Sequence, residues 1–295
     1  MTYALGIDLG GSSIKAVAVT AAGETLAQAS EPFVDRDMEW AVKLRTLADR
    51  LQRERGAPAQ AIGVSAPGLA AKDARSIAVM PGRLQGLVGL DWTSQLAAPQ
   101  TVPVLNDAHA ALLGEVWLGA ARGMRNVFMF TLGTGVGGAA MVDGRLLRGE
   151  IGRAGHLGHV AVDWNSPRDD FNTPGSLEYF MGNKNIRARS QGRFTTTHEL
   201  VAAAQSGDAH AAEIWQQSVR ALACAIGSLI NVLDPEAVII GGGIARAGAA
   251  LFEPLESLVR GFEWQAAGHE VKLLPAQLGD FAGAYGSAAN ALKHF

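Results

Sequence analysis

The sequence predicts an α/β protein of two domains, and three observations lead there. Its 295 residues suffice for two cores at roughly 150 residues each. Strand-like alternation and helical spacing follow one another from the N-terminus in a strand, strand, helix, strand order, the pattern of a mixed α/β layer. A glycine-tipped hairpin near the start is echoed by a second one midway. Composition narrows the class further. With 48% hydrophobic and 18% charged residues, intrinsic disorder is excluded. The lone Cys224 rules out an internal disulfide and a cysteine-built zinc site, and it suits a reducing cytoplasm. The 25 Lys and Arg stand against 28 Asp and Glu for a formal charge of −3, and no basic run could neutralise a stretch of phosphates. Nucleic acid is not an expected partner. The start MTYALGIDLGG lacks the basic region of a signal peptide, and the longest apolar stretch, Ala221 to Leu233, falls short of the ~20 residues that span a bilayer. The expectation is a soluble, cytoplasmic chain with no membrane partner.

Tyr3 to Asp8 and Ile14 to Val19 read as two strands joined by the turn Leu9 to Ser13, a glycine-tipped hairpin. From Trp40 onward, Leu44, Leu47 and Leu51 recur at helical spacing, Asp49 and Arg53 are placed as an i,i+4 pair, and Gly56 supplies a stop. Ala61 to Ser65 reads as a buried strand that ends at Ala66-Pro67-Gly68. The apolar Val102 to Leu105 leads into Asn106-Asp107 and the helical run Ala108 to Trp117. Val127 to Thr131, the turn Leu132 to Gly135 and Gly137 to Val142 form the second hairpin. Thr196 to Glu199 has the form of a capping box before an alanine-rich helix. After Asp208, the residues Trp215, Val219, Leu222, Ile226, Leu229 and Leu233 mark a long amphipathic helix that Asp234-Pro235 terminates. Ala237 to Ile240 is a short strand running into Gly241 to Gly243, beyond which Ile244 can open another helix. With Asp8-Leu9-Gly10 aligned on Thr131-Leu132-Gly133, both hairpins superpose in order. Either the chain is two copies of one unit facing each other across a cleft, or it is an α/β chain with several glycine hairpins. A boundary just after Asp107 to Gly119 carries no compositional mark.

The turn DLGGSSIK offers what a phosphate needs: unshielded amides at Gly10 and Gly11, hydroxyls at Ser12 and Ser13, and a cation at Lys15. A plain hairpin is the other reading, since the spacing is neither a Walker loop nor a dinucleotide turn. The turn TLGTGVGG adds amides and the hydroxyls of Thr131 and Thr134, and a helix opening on glycine amides after Gly241 suits an anionic or nucleotide group. Asn106-Asp107 fits an N-cap. It equally fits a general base, a carboxylate at a strand end with an amide beside it to orient a hydroxyl. His156 and His159 could ligate a metal, but no Cys or third His stands nearby, so hydrogen bonding to a polar substrate is preferred. Glu178 reads only as an acid on the first turn of a helix.

Taken in order, GIDLGGSSIK, VSAPG, NDAHAALLGE, TLGTGVGG, AGHLGHV, GSLE and VIIGGGIA resemble the ROK family of sugar kinases and sugar-responsive repressors, within the actin, Hsp70 and hexokinase superfamily. PGRLQGLVGLDW and GDFAGAYGSAANAL are similar to the family pattern as well, so the resemblance runs nearly the whole chain. It implies two ribonuclease-H-like (actin-like ATPase) α/β domains facing a central cleft. These are drawn as 1–115, completed by a C-terminal helix at about 284–295, and 116–283. The resemblance further implies that Gly10 to Ser13, Thr131, Gly133, Thr134 and Gly135, and Gly241, Gly242 and Gly243 bind ATP, beside the cation Lys15 already read at the first turn. Asp8 stands near Mg²⁺ and its waters; Gly68, Asn106, His156, His159 and Glu178 contact the sugar; and Asp107 is the catalytic base. In-line phosphoryl transfer to a sugar hydroxyl, the 6-position by family habit, and a homodimer follow as expectations.

Two departures from the family pattern matter. The cysteine-rich zinc motif before GCLE is missing, with Asp169 to Ser176 free of cysteine and GCLE become GSLE, so no structural zinc is expected and His159 must be held by other packing. His156 stands where hexose kinases of the family have Glu, which puts glucose in doubt, because an imidazole offers one acceptor and one donor where a carboxylate offers only acceptors. An N-acylmannosamine kinase and a non-catalytic sugar sensor are the alternatives. A repressor is disfavoured because GIDLGG begins within the first ten residues, leaving no room for a DNA-reading domain.

Overall fold

The computed structural model describes residues 2–295. In chain order the elements are β1 (Ala4–Leu9), β2 (Ser13–Val19), β3 (Thr25–Pro32), α1 (Glu39–Arg55), β4 (Ala61–Ala66), β5 (Leu69–Ala70), β6 (Ile77–Val79), α2 (Trp92–Gln95), β7 (Val104–Asn106) and α3 (Asp107–Leu118). There follow β8 (Val127–Leu132), β9 (Val136–Val142), β10 (Arg145–Leu146), α4 (Leu177–Met181), α5 (Ile186–Arg189), α6 (Thr197–Gln205), α7 (Ala209–Leu233), β11 (Ala237–Gly241), α8 (Ala249–Arg260), β12 (Lys272–Pro275) and α9 (Ala282–Ala291). The chain divides into two compact units. The first takes the chain up to Met124 with Gly144–Gly155 and Gln277–Phe295; the second takes Arg125–Asp143 and His156–Ala276.

The sheet of the first unit has the order β3-β2-β1-β4-β7. β1 and β2 form the antiparallel hairpin, while β1, β4 and β7 run parallel. The alternation of β1 divides its residues between two cores. Leu5, Ile7 and Leu9 join Ile14, Trp40, Leu44 and Trp92 on one face, where the two indoles pack with centroids 6.1 Å apart. Ala4, with Val17 and Val19 of β2, meets Ala284, Tyr285 and Ala288 of α9 on the other. Helix α9 can lie this close only because small residues face it. A methyl group on Gly6 would collide with the Ala284 carbonyl, one on Gly63 with the Ser287 carbonyl, and one on Gly114 of α3 with the Ala282 carbonyl.

Within the second unit the strands run β9-β8-β11-β12, again an antiparallel hairpin followed by parallel neighbours. Val127 to Phe130 and Ala237 to Ile240 are apolar at every position and buried throughout, as parallel strands covered on both faces require. The repeated hairpin of the sequence therefore belongs to a repeated strand order. Its turn is one residue shorter in the second copy, because Leu9 pairs with Ile14 whereas Leu132 pairs with Val136. The long helix α7 starts at Asp208, whose carboxylate accepts from Ala211 N–H at 3.0 Å, and stops at Asp234 in the left-handed region before Pro235. The capping box of Thr196 and Glu199 opens α6.

Two local expectations change. Asp49 pairs with Arg45 at 2.9 Å rather than with Arg53, the same face being shared one turn earlier. The glycine triplet opens a 3-10 helix, Gly243–Ala247, and α8 begins only after Gly248 with its φ of 58°.

Candidate functional site

In the first unit, Asp8 and Asp107 lie at the same end of the sheet, one near the end of β1 and the other immediately after the parallel strand β7. The Ser65 hydroxyl at the end of β4 donates to Asp8 Oδ1 at 2.7 Å. Burial pushes the Asp8 carboxyl up to about 6; the Ser65 hydrogen bond pulls it down, the Asp107 charge adds to the rise, and Lys15 opposes it. Lys15 stands directly across the hairpin from Asp8. The turn between them closes on the bond from Gly10 N–H to Ser13 O, 2.9 Å. Arg83, which sequence reasoning passed over, donates from Nη2 to Gly11 O at 2.6 Å and adds a second cation beside this turn.

Asn106 caps α3 by accepting from Ala108 N–H at 3.0 Å and His109 N–H at 3.2 Å, and its Nδ2 donates to Gly68 O at 3.0 Å. One amide hydrogen of Asn106 is left for another acceptor. Gly68, at φ 101°, turns the chain where a methyl group would strike the Val79 carbonyl. Asp107 is half-buried as the first residue of α3, and its Oδ1 accepts from Ala108 N–H at 2.8 Å. The carboxyl therefore stands at the positive end of the helix dipole. The N-cap and the acid readings of this pair fall on two neighbouring residues, Asn106 capping and Asp107 presenting the carboxylate.

The second unit gathers the other glycine segments. Gly241 is paired with Thr131 across β11 and β8, and Gly242, at φ 89°, packs so closely on Leu132 that only glycine fits. Gly133, Thr134 and Gly243 line a cavity of about 740 Å³ with Thr197, His198 and Arg246 among its other walls, a size typical of small-molecule sites. The turn itself is braced from outside: Asn183 N–H donates to Gly133 O at 3.0 Å and Lys184 N–H to Thr134 O at 2.9 Å. The Thr197 hydroxyl is buried without a hydrogen-bond partner, while Thr197 N–H donates to Asn183 Oδ1. Such an orphaned group in a cavity wall, with amides nearby, fits a polar ligand such as a nucleotide.

The 3-10 turn Leu157–His159, which ends on His159, and Glu178, on the first turn of α4, both meet Val136. A methyl group on Gly158 would strike the Val136 carbonyl, and Glu178 Oε2 accepts from Val136 N–H at 2.9 Å. Glu178 Oε1 also meets Lys184 Nζ at 2.6 Å. Burial pulls the Lys184 ammonium down, but the Asp170 and Glu178 carboxylates outweigh it and leave the group above its usual value. His156 is half-buried just before the same turn. The sequence marks neither Lys184 nor Thr197 as a site residue, Thr197 being legible only as part of the capping box, because each acquires its neighbours through tertiary packing.

No three His, Cys, Asp or Glu among the described residues group as metal ligands. The loop Asp169 to Ser176 contains no thiolate, and Cys224 lies within α7. The donor set around His159 does not fit a structural zinc.

The ROK family pattern matches residues 4–294. A glucokinase of Thermotoga maritima is 31% identical over 304 residues, covering 97% of this chain and 96% of that one. The crystal structure of a ROK hexokinase from Thermus thermophilus superposes with a TM-score of 0.87 at 30% identity, with 99% of each chain covered. A ROK family glucokinase from Streptomyces griseus, solved with glucose and AMPPNP, shares the fold at 23% identity, a TM-score of 0.81 and 99% coverage of each chain. Two ribonuclease-H-like units of the actin-like ATPase kind, with paired glycine turns, define a phosphotransferase of the sugar-kinase class. Within that class, this chain belongs to the ROK family.

Proposed function

We propose that the protein transfers the γ-phosphate of ATP to a hydroxyl, the 6-position, of a hexose or amino sugar, with Asp107 as general base. The observation that carries this reading is the pair of carboxylates at one end of the first sheet, Asp107 held at a helix start and Asp8 pushed up to about 6. Asp107 accepts the sugar's hydroxyl proton as the hydroxyl oxygen bonds to phosphorus and the bond to the ADP oxygen breaks. Asn106 offers its remaining amide hydrogen to the sugar, and Gly68, which Asn106 braces, shapes that side. His156, His159 and Glu178 are assigned to the other sugar hydroxyls. Gly10 to Ser13 with Lys15, and Thr131 with Gly133 to Gly135, hold the phosphates by amides, hydroxyls and charge. Gly241 to Gly243 and the cavity beside them hold the adenosine.

Asp8 would hold Mg²⁺ through its waters. A buried carboxylate raised by its own desolvation and by a neighbouring acid suits a hard cation that keeps part of its water shell. When bound, the ion neutralises charge on the transferred group. Measuring ADP release over glucose, mannose, fructose, allose and their N-acetylated relatives tests the class of substrate. Asp107→Asn should lower kcat about 10²–10⁴-fold with the sugar KM nearly unchanged; a variant as active as the parent would overturn the base. If no sugar releases ADP while sugars still raise the melting temperature, the protein is a sensor. His156 favours a second substrate reading, an amino sugar such as an N-acylmannosamine, over glucose. His156→Glu should then shift the preference toward glucose, and an unchanged ranking counts against His156 as the discriminating contact.

A further inference from the structure

The segment after His159 is built around one side chain. The Asp169 side chain is 1% exposed, and its Oδ1 accepts from the N–H groups of Phe171 and Thr173, both at 2.9 Å. Its Oδ2 lies 3.2 Å from His159 Nδ1. The Phe171 ring packs edge-on against the imidazole with centroids 4.6 Å apart, so the ring is held in both its plane and its position. An ionised carboxylate can only accept hydrogen bonds. A ring nitrogen bonded to it must therefore carry the proton, and in a neutral imidazole the opposite nitrogen is then a lone-pair acceptor.

We propose that Asp169 is the positioning residue of His159, fixing the Nδ1–H tautomer so that Nε2 accepts a hydrogen bond from a sugar hydroxyl. The charge state supports the geometry. Burial pushes the Asp169 carboxyl up, but the Thr173 amide, the Ser176 hydroxyl, His159 and the Phe171 amide together hold it below the ordinary carboxylate range. This loop offers no zinc site, so the carboxylate supplies by hydrogen bonding the orientation that a ligand to metal would supply elsewhere. The choice of tautomer has a consequence for recognition. With Nε2 committed to accept, this corner of the site selects a sugar position that presents a hydroxyl or amide hydrogen and disfavours one that presents only an acceptor, such as an alkyl ether.

The step concerning the sugar rests on the function proposed above; the step concerning the tautomer does not. Nitrogen-15 spectra of histidine-labelled protein, with His159→Gln used to assign the resonance, read the tautomer directly in the unaltered, sugar-free chain. The expected result is a protonated Nδ1 and an unprotonated Nε2. In Asp169→Asn the amide oxygen keeps the two backbone donors and the amide nitrogen faces the ring, so His159 must switch to the Nε2–H form. The sugar KM should then rise at least about tenfold while kcat changes by less than about threefold. An Nε2–H form in the unaltered protein, or no switch in the variant, overturns the proposal even if Asp169→Asn proves too unstable for kinetics. A switch that leaves the sugar KM unchanged would instead remove His159 from the sugar site and leave its tautomer assignment standing.

Discussion

Asp8 and Asp169 are both buried acids of the candidate site, yet their contributions to stability have opposite signs. Burial holds the Asp8 carboxyl up at about 6 in the folded chain, against about 4 when unfolded. Between those values the unfolded state ionises first, so in metal-free buffer stability falls as pH rises from about 4 to 6 and levels off above. Asp8→Asn should consequently melt above the parent at pH 7.5, with the gap closing below about pH 4; equal melting at both pH values would show that Asp8 is not desolvated. Asp169, held low by its amide and hydroxyl donors, stabilises the fold at neutral pH and loses that contribution as pH falls through and below the ordinary carboxylate range. Legibility at this scale was uneven. Asp8, Asn106 and Asp107 sit at strand ends within short motifs, where local order already announces a site. Lys184, Thr197 and Arg83 stand away from strand ends, and each reaches its partners from a loop or helix distant in sequence.

At the level of elements, the same amino acid plays two separable parts. Gly286 of α9 faces the Ala110 carbonyl with no room for a methyl group, whereas Gly133 has nothing within 4 Å of where one would stand. Gly286→Ala should cost about 1–3 kcal/mol in urea unfolding, as overpacking against backbone does. Gly133→Ala should unfold like the parent but raise the KM for ATP, and a variant that loses stability instead would assign the turn to packing. The contrast also explains which elements the sequence discloses. Helices α1, α6 and α7 carry an apolar stripe, a cap or a stop, and each was readable from periodicity. AGAYGSAANA of α9 has no stripe, because its partners are backbone and small side chains on several sides, so only resemblance pointed to it. β3, with a burial pattern that alternates along an edge of the sheet, was hidden among polar residues.

For the molecule as a whole, one hairpin-plus-parallel-strands plan appears in both units, and the echo of GIDLGG in TLGTGVGG was its visible trace. The echo was ambiguous in sequence because glycine hairpins are common, and the matching strand order supplied what was missing. No helix among the described residues is long and apolar enough to cross a membrane. Since the loop around His159 has no thiolate, removal of metal by a chelator should leave the melting temperature of the nucleotide-free protein unchanged; a fall accompanied by released zinc would contradict the donor set described. Helix α9 lies at the far end of the chain, yet it covers β1 and β4 and brings Gly283 against the Asp8 carboxylate. During synthesis, then, the sheet of the first unit stays uncovered until α9, more than 170 residues after β7, has been made. A nascent chain stalled before Gln277 would expose that bare face to chaperones, whereas the second unit, ending at Ala276, would already have all of its own residues.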